Sequence, residues 1–364
     1  MRVLFASTQG AGHFGPLIPL VEACQRSGHE TLIVGPPTLK SRGHPFVAGA
    51  APPDDVLGPL WSRMPSLPPA QGDVVVVGSI FAGLNVDAML PTHRECLESW
   101  QPDLVVREAS EFASAIAAEE RGVRHVRVAI SIAVVERGAL GIAGPALDGR
   151  LAGVSDRIAA SPYLSAFPES VDPAPFAVTR IRHPAVAAER APLPDWWPGR
   201  RGPLVYVSFG SVAATFPPAA QVYAIALEAV RGLPVRVLLT TGGHEIGLGD
   251  LPDNVHVERW VDEPGLLRHA DAVVGHGGGG TTLSALAAGC PLVGVPLFGD
   301  QPMNVAAVAA ARAGVVAPLD GIQHGIELVL EDDRYRAAAR EAADEMRTYA
   351  PVETFFDRLH DTHA

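Results

Sequence analysis

The chain has 364 residues, 48% hydrophobic and 19% charged, which is enough apolar material for two buried cores. Its formal net charge of −12 repels a phosphate backbone, so nucleic acid is excluded as an expected partner. No uninterrupted apolar run reaches the roughly 18–20 residues that span a bilayer, so no membrane span is expected. The N-terminus has no signal-peptide pattern, and Cys24, Cys96 and Cys290 are widely spaced. Both features point to a reducing cytoplasm and away from a disulfide framework or a zinc site.

The first predicted element is a short buried strand from Val3 to Ser7, followed by "QGAGHFG" at Gln9 to Gly15. Gly10, Gly12 and Gly15 fit G-x-G-x-x-G, the spacing that cradles a dinucleotide. That fingerprint also needs an acidic residue at the end of the second strand. Here the second strand, "ETLIVGPP", ends in Val34, Gly35, Pro36 and Pro37, and His13 would crowd the pyrophosphate. The favoured reading is therefore a loop that presents His13 as a general base at the carboxyl edge of a parallel sheet. A helix is predicted from Pro16, with Leu17, Leu20, Val21 and Cys24 on its inner face and Gly28 ending it.

Residues 48–71 are dense in proline and lack clear periodicity, which predicts a long loop of the lid kind. "PDLVVREASEFASAIAAEERGVRHVRVAI" then repeats strand, loop, helix and strand. Residues 185–202, rich in Pro, Arg and Gly, read as a linker. "PLVYVSFGS" opens a second series, with strands expected in "VRVLLTTG", "NVHVERW", "DAVVGH" and "PLVGVPLF" and a final helix over Tyr335 to Arg358. The expected fold class is α/β, with two doubly wound Rossmann-like domains facing each other across a cleft. The expected domains are 1–184 and 203–345, with 346–364 as a C-terminal helix.

The strongest local signal runs from Ala270 to Gln301. There His276 leads four glycines, and Thr281 starts a helix. Four glycines raise the entropy cost of ordering the loop, so they imply close approach of the main chain to a ligand. Main-chain N–H groups beside a helix N-terminus suit an anion, most simply a pyrophosphate.

These residues resemble a known family. "WVDEP" from Trp260, "HGGGGT" (His276 to Thr281) and "PLFGDQ" (Pro296 to Gln301) are similar to the donor signature of family 1 glycosyltransferases, which have the GT-B fold. "GAGHFGPLIPL" and "SFGS" (Ser208 to Ser211) match its other two loops. The resemblance covers nearly the whole chain and is closest to bacterial antibiotic and natural-product glycosyltransferases of the calicheamicin type. It implies that His13 is the base, that Gly12 contacts the donor, and that Trp260 and Val261 pack on the nucleotide base. It also implies that Ser211, His276, Gly278, Gly279, Gly280 and Thr281 hold the diphosphate, and that Asp300 and Gln301 bind the sugar hydroxyls. Family members orient the histidine with an Asp where this chain has Glu108, and Glu111 is a rival. Ser284 stands where plant members have a Glu that grips both ribose hydroxyls, which suggests a dTDP-sugar donor whose deoxyribose has no 2′-hydroxyl.

The expected reaction is inverting transfer from a nucleotide-sugar to a small hydrophobic or aromatic aglycone, with no metal and no cofactor. Phe14, Trp61, Phe81, Leu84, Met89 and Glu111 are acceptor-site candidates, and Trp61, Phe81, Leu84 and Met89 fit a core equally well. A nucleotide-sugar epimerase of similar build and a non-catalytic GT-B-like helper are the alternatives. The oligomeric state, including a homodimer, stays open.

Overall fold

The computed structural model describes all residues except 40, 42, 191, 215–218 and 362–364. The chain divides into two compact units. The first comprises Met1–Ser165, Ala174–Ile181 and Ala350–Ala364, and the second Ala166–Pro173 and Arg182–Tyr349. Residues 185–202, read from sequence as a linker, lie within the second unit. The predicted final helix is two helices, Asp333–Thr348 in the second unit and Glu353–Asp361 in the first. The latter is tied to helix Ile18–Arg26 by an ion pair between Glu353 and Arg26 at 2.7 Å.

The first unit is built on strands β1 (Arg2–Ala6), β2 (Glu30–Gly35), β3 (Phe46–Ala48), β4 (Leu104–Glu108), β5 (Arg124–Val128), β6 (Tyr163–Ser165) and β7 (Thr179–Arg180). All pair in parallel, in the order β3-β2-β1-β4-β5-β6-β7. The second has β8 (Leu204–Ser208), β9 (Arg236–Thr240), β10 (Val255–Glu258), β11 (Ala272–Gly275), β12 (Leu292–Gly294) and β13 (Gly314–Val316). Its order is β10-β9-β8-β11-β12-β13, again all parallel. Strand order reverses between β1 and β4 in one sheet and between β8 and β11 in the other. Open α/β sheets bind ligands outside the carboxyl ends of their strands at such switch points.

The central strands are continuous apolar runs because helices cover both faces of a parallel sheet. Leu4, Ala6, Val34 and Val105 pack with Leu90, Leu97 and the alanine-rich helix Ala113–Arg121 in one core. Val205, Val207, Val237 and Val274 pack with Tyr223, Leu227, Ile322 and Ile326 in the other.

Residues 48–71 differ from expectation. They include helix Asp54–Arg63, a 3-10 turn Met64–Ser66 and the start of a helical run that continues to Ser99. Within that run Val74–Asn85 winds as a π-helix. Its i→i+5 pairing moves the apolar face off the 3.6-residue period by which a helix is recognised in sequence. Pro59 lies inside the first helix and hides it for a different reason, because an internal proline lacks the N–H donor and reads as a helix breaker. Pro69–Ser99 is 31 residues long and apolar enough to cross a membrane by length and composition, with 28% of its apolar window buried. It is not an uninterrupted apolar run, since Asp73, Asn85 and Asp87 lie within it, and one helix of this kind is weak evidence for a membrane span.

Candidate active site

In the first unit the chain leaves β1 at Ala6 and turns at Gly10, whose φ of 115° is open at little cost only to glycine. The carbonyl of Gly10 accepts from the His13 and Phe14 amides, at 3.2 and 3.1 Å. His13 therefore sits on a helical turn, Ala11–Phe14, rather than in an open loop. A 3-10 turn, Gly15–Leu17, joins it to the helix that the sequence places from Pro16.

The adjacent strand β4 ends at Glu108, whose Oε1 lies 3.2 Å from Nδ1 of His13. The His13 side chain is 22% exposed and that of Glu108 fully buried. Burying a carboxylate requires that its lone pairs be satisfied. Oε1 also accepts from the Thr8 amide (3.1 Å) and hydroxyl (2.7 Å), and Oε2 from the Ser110 amide (2.7 Å). The carboxylate is thus fixed from two loops and can hold one imidazole tautomer in place.

Glu111 is placed elsewhere. It accepts from the amide and hydroxyl of Ser114 at the start of helix Ala113–Arg121, and pairs with Nε2 of buried His93 at 3.2 Å. Burial would raise its carboxyl, but His93 and Ser114 hold it below the ordinary range. Glu108, and not Glu111, is the partner of His13.

Of the acceptor candidates, the ring of Phe81 meets His13 edge-on, with centroids 5.4 Å apart. Leu84 is half-buried on the same π-helix, and Trp61 is 38% exposed on helix Asp54–Arg63. Phe14 and Met89 are buried, Met89 packing against Gly49 so closely that a Cβ there would lie 2.5 Å from its sulfur. Gly12 is exposed.

In the second unit β8 runs into a helical turn, Gly210–Ala213, and β11 into His276 and the glycines. The His276 ring fills the space that two glycines leave. A Cβ on Gly210 would lie 2.7 Å from its Cε1, and one on Gly278 2.4 Å from its Nε2. Burial lowers His276 to about 4 against the pull of Asp300, so the imidazole is neutral near pH 7. Helix Gly279–Ala288 follows, and its first intrahelical donor is Thr282, which bonds to the Gly278 carbonyl. The amides of Gly279, Gly280 and Thr281 therefore have no partner within the helix. A Cβ on exposed Gly280 would meet nothing within 4 Å. This is an anion-binding geometry.

Ser211 is half-buried, and its carbonyl lies 3.0 Å from Nε2 of His244. Trp260 is 62% exposed and Val261 half-buried. Asp300 stands at the N-cap of helix Gln301–Ala310. Gln301 is buried, with its Oε1 accepting from the Leu297 and Phe298 amides at 2.8 and 3.0 Å. Ser284 is also buried.

Two residues escaped the sequence reading here. Asn304 is fully buried and donates to Asp300 Oδ2 (2.8 Å) and the Gly277 carbonyl (2.9 Å), joining the glycine loop to the "GDQ" turn. Its position four residues after Asp300, one helical turn on, was the available signal. Glu263, within "WVDEP", is pushed up to about 7 by burial, against a hydrogen bond with Thr281. Among the described residues, no three His, Cys, Asp or Glu are grouped to hold a metal ion.

Residues 225–355 match the family model described as erythromycin biosynthesis protein CIII-like, C-terminal domain. L-demethylnoviosyl transferase of Streptomyces niveus is 31% identical over 95% of this chain and 94% of its own. The crystal structure of the glycosyltransferase SnogD from Streptomyces nogalater superimposes with a TM-score of 0.78 at 25% identity, covering 100% of this chain and 99% of that one. Spinosyn rhamnosyltransferase SpnG complexed with thymidine diphosphate shares the fold, with a TM-score of 0.76 at 21% identity over 99% of this chain and 100% of that one. With two Rossmann-like sheets and full-length similarity of this kind, the chain belongs to the GT-B glycosyltransferases of antibiotic and natural-product biosynthesis.

Proposed function

We propose that the enzyme transfers a sugar from a dTDP-sugar to a small hydrophobic or aromatic natural-product acceptor, with inversion and without a metal. The observation that carries this reading is the His13–Glu108 pair at the β1/β4 switch point, with the Phe81 ring against the imidazole. Glu108 engages Nδ1, so Nε2 is the nitrogen assigned to the acceptor hydroxyl. As that oxygen attacks the anomeric carbon and the C–O bond to the diphosphate breaks, the proton passes to His13. The imidazolium so formed is stabilised by the buried carboxylate.

Charge then develops on the departing diphosphate. The amides of Gly279, Gly280 and Thr281 and the helix N-terminus stabilise it more in the transition state than in the ground state. A neutral His276 can donate one hydrogen bond there. Trp260 and Val261 are assigned to the base, Ser211 and Gly278 to the phosphates, and Asp300 with Gln301 to the sugar. The buried Gln301 carbonyl is already engaged, which leaves its amide nitrogen for that role. The dTDP assignment is supported by Ser284, too short to grip a ribose diol, and by the thymidine diphosphate bound to SpnG.

The test is a thermal-shift titration with dTDP, UDP and NADH, followed by His13→Ala. A ligand at 100 times its Kd stabilises by about 2.7 kcal/mol. dTDP should raise the melting temperature most and NADH not at all. His13→Ala should keep the dTDP shift and lose turnover. A shift with NADH alone, or full turnover without His13, overturns the reading.

A further inference from the structure

Arg107 is an unexpected residue to find in the middle of a central strand. It is fully buried on β4, between Val106 and Glu108, facing away from the side that Glu108 uses. Taking a guanidinium out of water costs several kcal/mol unless its donors are met. Among the described residues no carboxylate pairs with it directly, and its Nε and Nη2 have no hydrogen-bond partner. Its one engaged nitrogen, Nη1, donates to three carbonyls: Glu108 (3.2 Å), Ala109 (3.1 Å) and Glu111 (3.0 Å). The guanidinium carbon also lies 5.9 Å from the centre of the Phe112 ring. All of these contacts fall on one turn, 108–112, which carries the carboxylate that orients His13. A side chain this costly to bury, spent wholly on that turn, has a positional role that a leucine could not fill.

We infer that Arg107 is a positioning residue, which clamps the 108–111 turn so that the Glu108 carboxylate stays on Nδ1 of His13. The inference builds on the proposed function for its meaning in catalysis, but its test does not need turnover. Several charged groups face this cluster and enter any pH dependence. They are His125 and Arg127 from β5, Glu136 from helix Ala133–Asp148, His93 from helix Val86–Ser99, and Glu108 and Glu111 from the turn itself. A comparison that holds these groups constant is therefore required.

The titration of His13 supplies it. In the full chain labelled at histidine, the His13 ring signal is assigned by its loss in His13→Ala and followed by NMR between pH 5 and 8. Four proteins form a cycle: wild type, Arg107→Met, Glu108→Gln and the double variant. A clamped carboxylate favours the imidazolium, so Arg107→Met should lower the His13 pKa by about one unit. In the Glu108→Gln background the same substitution should move it little, because there is no carboxylate left to position. An upward shift in both backgrounds would mean that Arg107 acts on His13 only through its charge, and would overturn the inference. So would a lower melting temperature with an unmoved titration, which marks a purely structural role.

If the methionine variant does not fold, Arg107→Lys is read in its place. It keeps the charge and loses the planar fork, so a smaller downward shift is expected and no shift overturns the inference. Should His13→Ala retain turnover while Arg107→Met still moves the titration, the catalytic reading fails and the clamp stands.

Discussion

Glu108 Oε1 lies 3.2 Å from His13 Nδ1 and at the same time accepts the Thr8 hydroxyl at 2.7 Å, so one buried oxygen ties the ends of β1 and β4 to the imidazole. The strand ends are neighbours in the sheet, and the pair needs no flexible element to meet. Glu108→Gln keeps the shape and removes the charge that stabilises an imidazolium. Turnover should fall by about 10²- to 10⁴-fold while dTDP binding is unchanged. Steady-state kinetics beside a dTDP titration check this, and a variant with native turnover would take Glu108 out of the mechanism.

The glycines of the second unit are not equivalent. A Cβ at Gly278 would strike His276 at 2.4 Å, whereas one at Gly280 meets no protein atom within 4 Å. Gly280→Ala should therefore fold as well as the parent, gaining up to about 1 kcal/mol of helix propensity. On the proposed diphosphate site it should still lose dTDP affinity, since the added methyl fills the open space beside that amide. Gly278→Ala should lower the melting temperature as well. Equal dTDP affinity in Gly280→Ala and wild type, by calorimetry, would show that nothing binds at that amide.

Asn304 spans the glycine loop and the "GDQ" turn with one side chain. Asn304→Ala leaves the Gly277 carbonyl without that donor in a buried site, at a cost of about 1–3 kcal/mol. The melting temperature should fall, and dTDP-sugar affinity should fall more than dTDP affinity, because Asp300 is assigned to the sugar. Parallel losses for the two ligands would contradict that assignment.

Much of this architecture is legible in the amino-acid sequence. Gly28, Gly122 and Gly289 mark helix ends, each with positive φ, and the apolar runs at β1, β4, β8 and β11 mark the central strands. The alternating pattern implies parallel sheets, whereas the strand order that sets the switch points comes from the structure. What stays hidden has physical causes. Strands β3, β6, β7 and β13 have only two or three residues, too short to show a period. The π-helix Val74–Asn85 has the wrong period for a helix search, so the segment that brings Phe81 to His13 gives no helical signal. Glu108 and Glu111 sit within one turn, so spacing does not separate them; the structure does, by setting Glu108 against His13 and Thr8 and Glu111 against His93.

Glu136 provides a test of the fold that is independent of catalysis. It is buried at the start of helix Ala133–Asp148, where its Oε1 accepts the Ile130 and Ser131 amides at 2.7 and 2.9 Å. Burial pushes its carboxyl up to about 7, against the pull of Tyr163, those amides and Arg127. Between its ordinary value of 4.5 and about 7 the folded chain binds more protons than the unfolded one, so stability declines as pH rises. The contribution is complete below about 4.5 and is lost as pH passes 7. Glu136→Gln mimics the protonated form at every pH and removes this loss. His125, His183 and His276, each lowered to about 4 by burial, titrate in both proteins and cancel in the difference. The melting temperature of the variant relative to wild type should therefore rise from pH 5 to pH 8. A difference that is flat or falling across that range would mean that the Glu136 carboxyl titrates at its ordinary value.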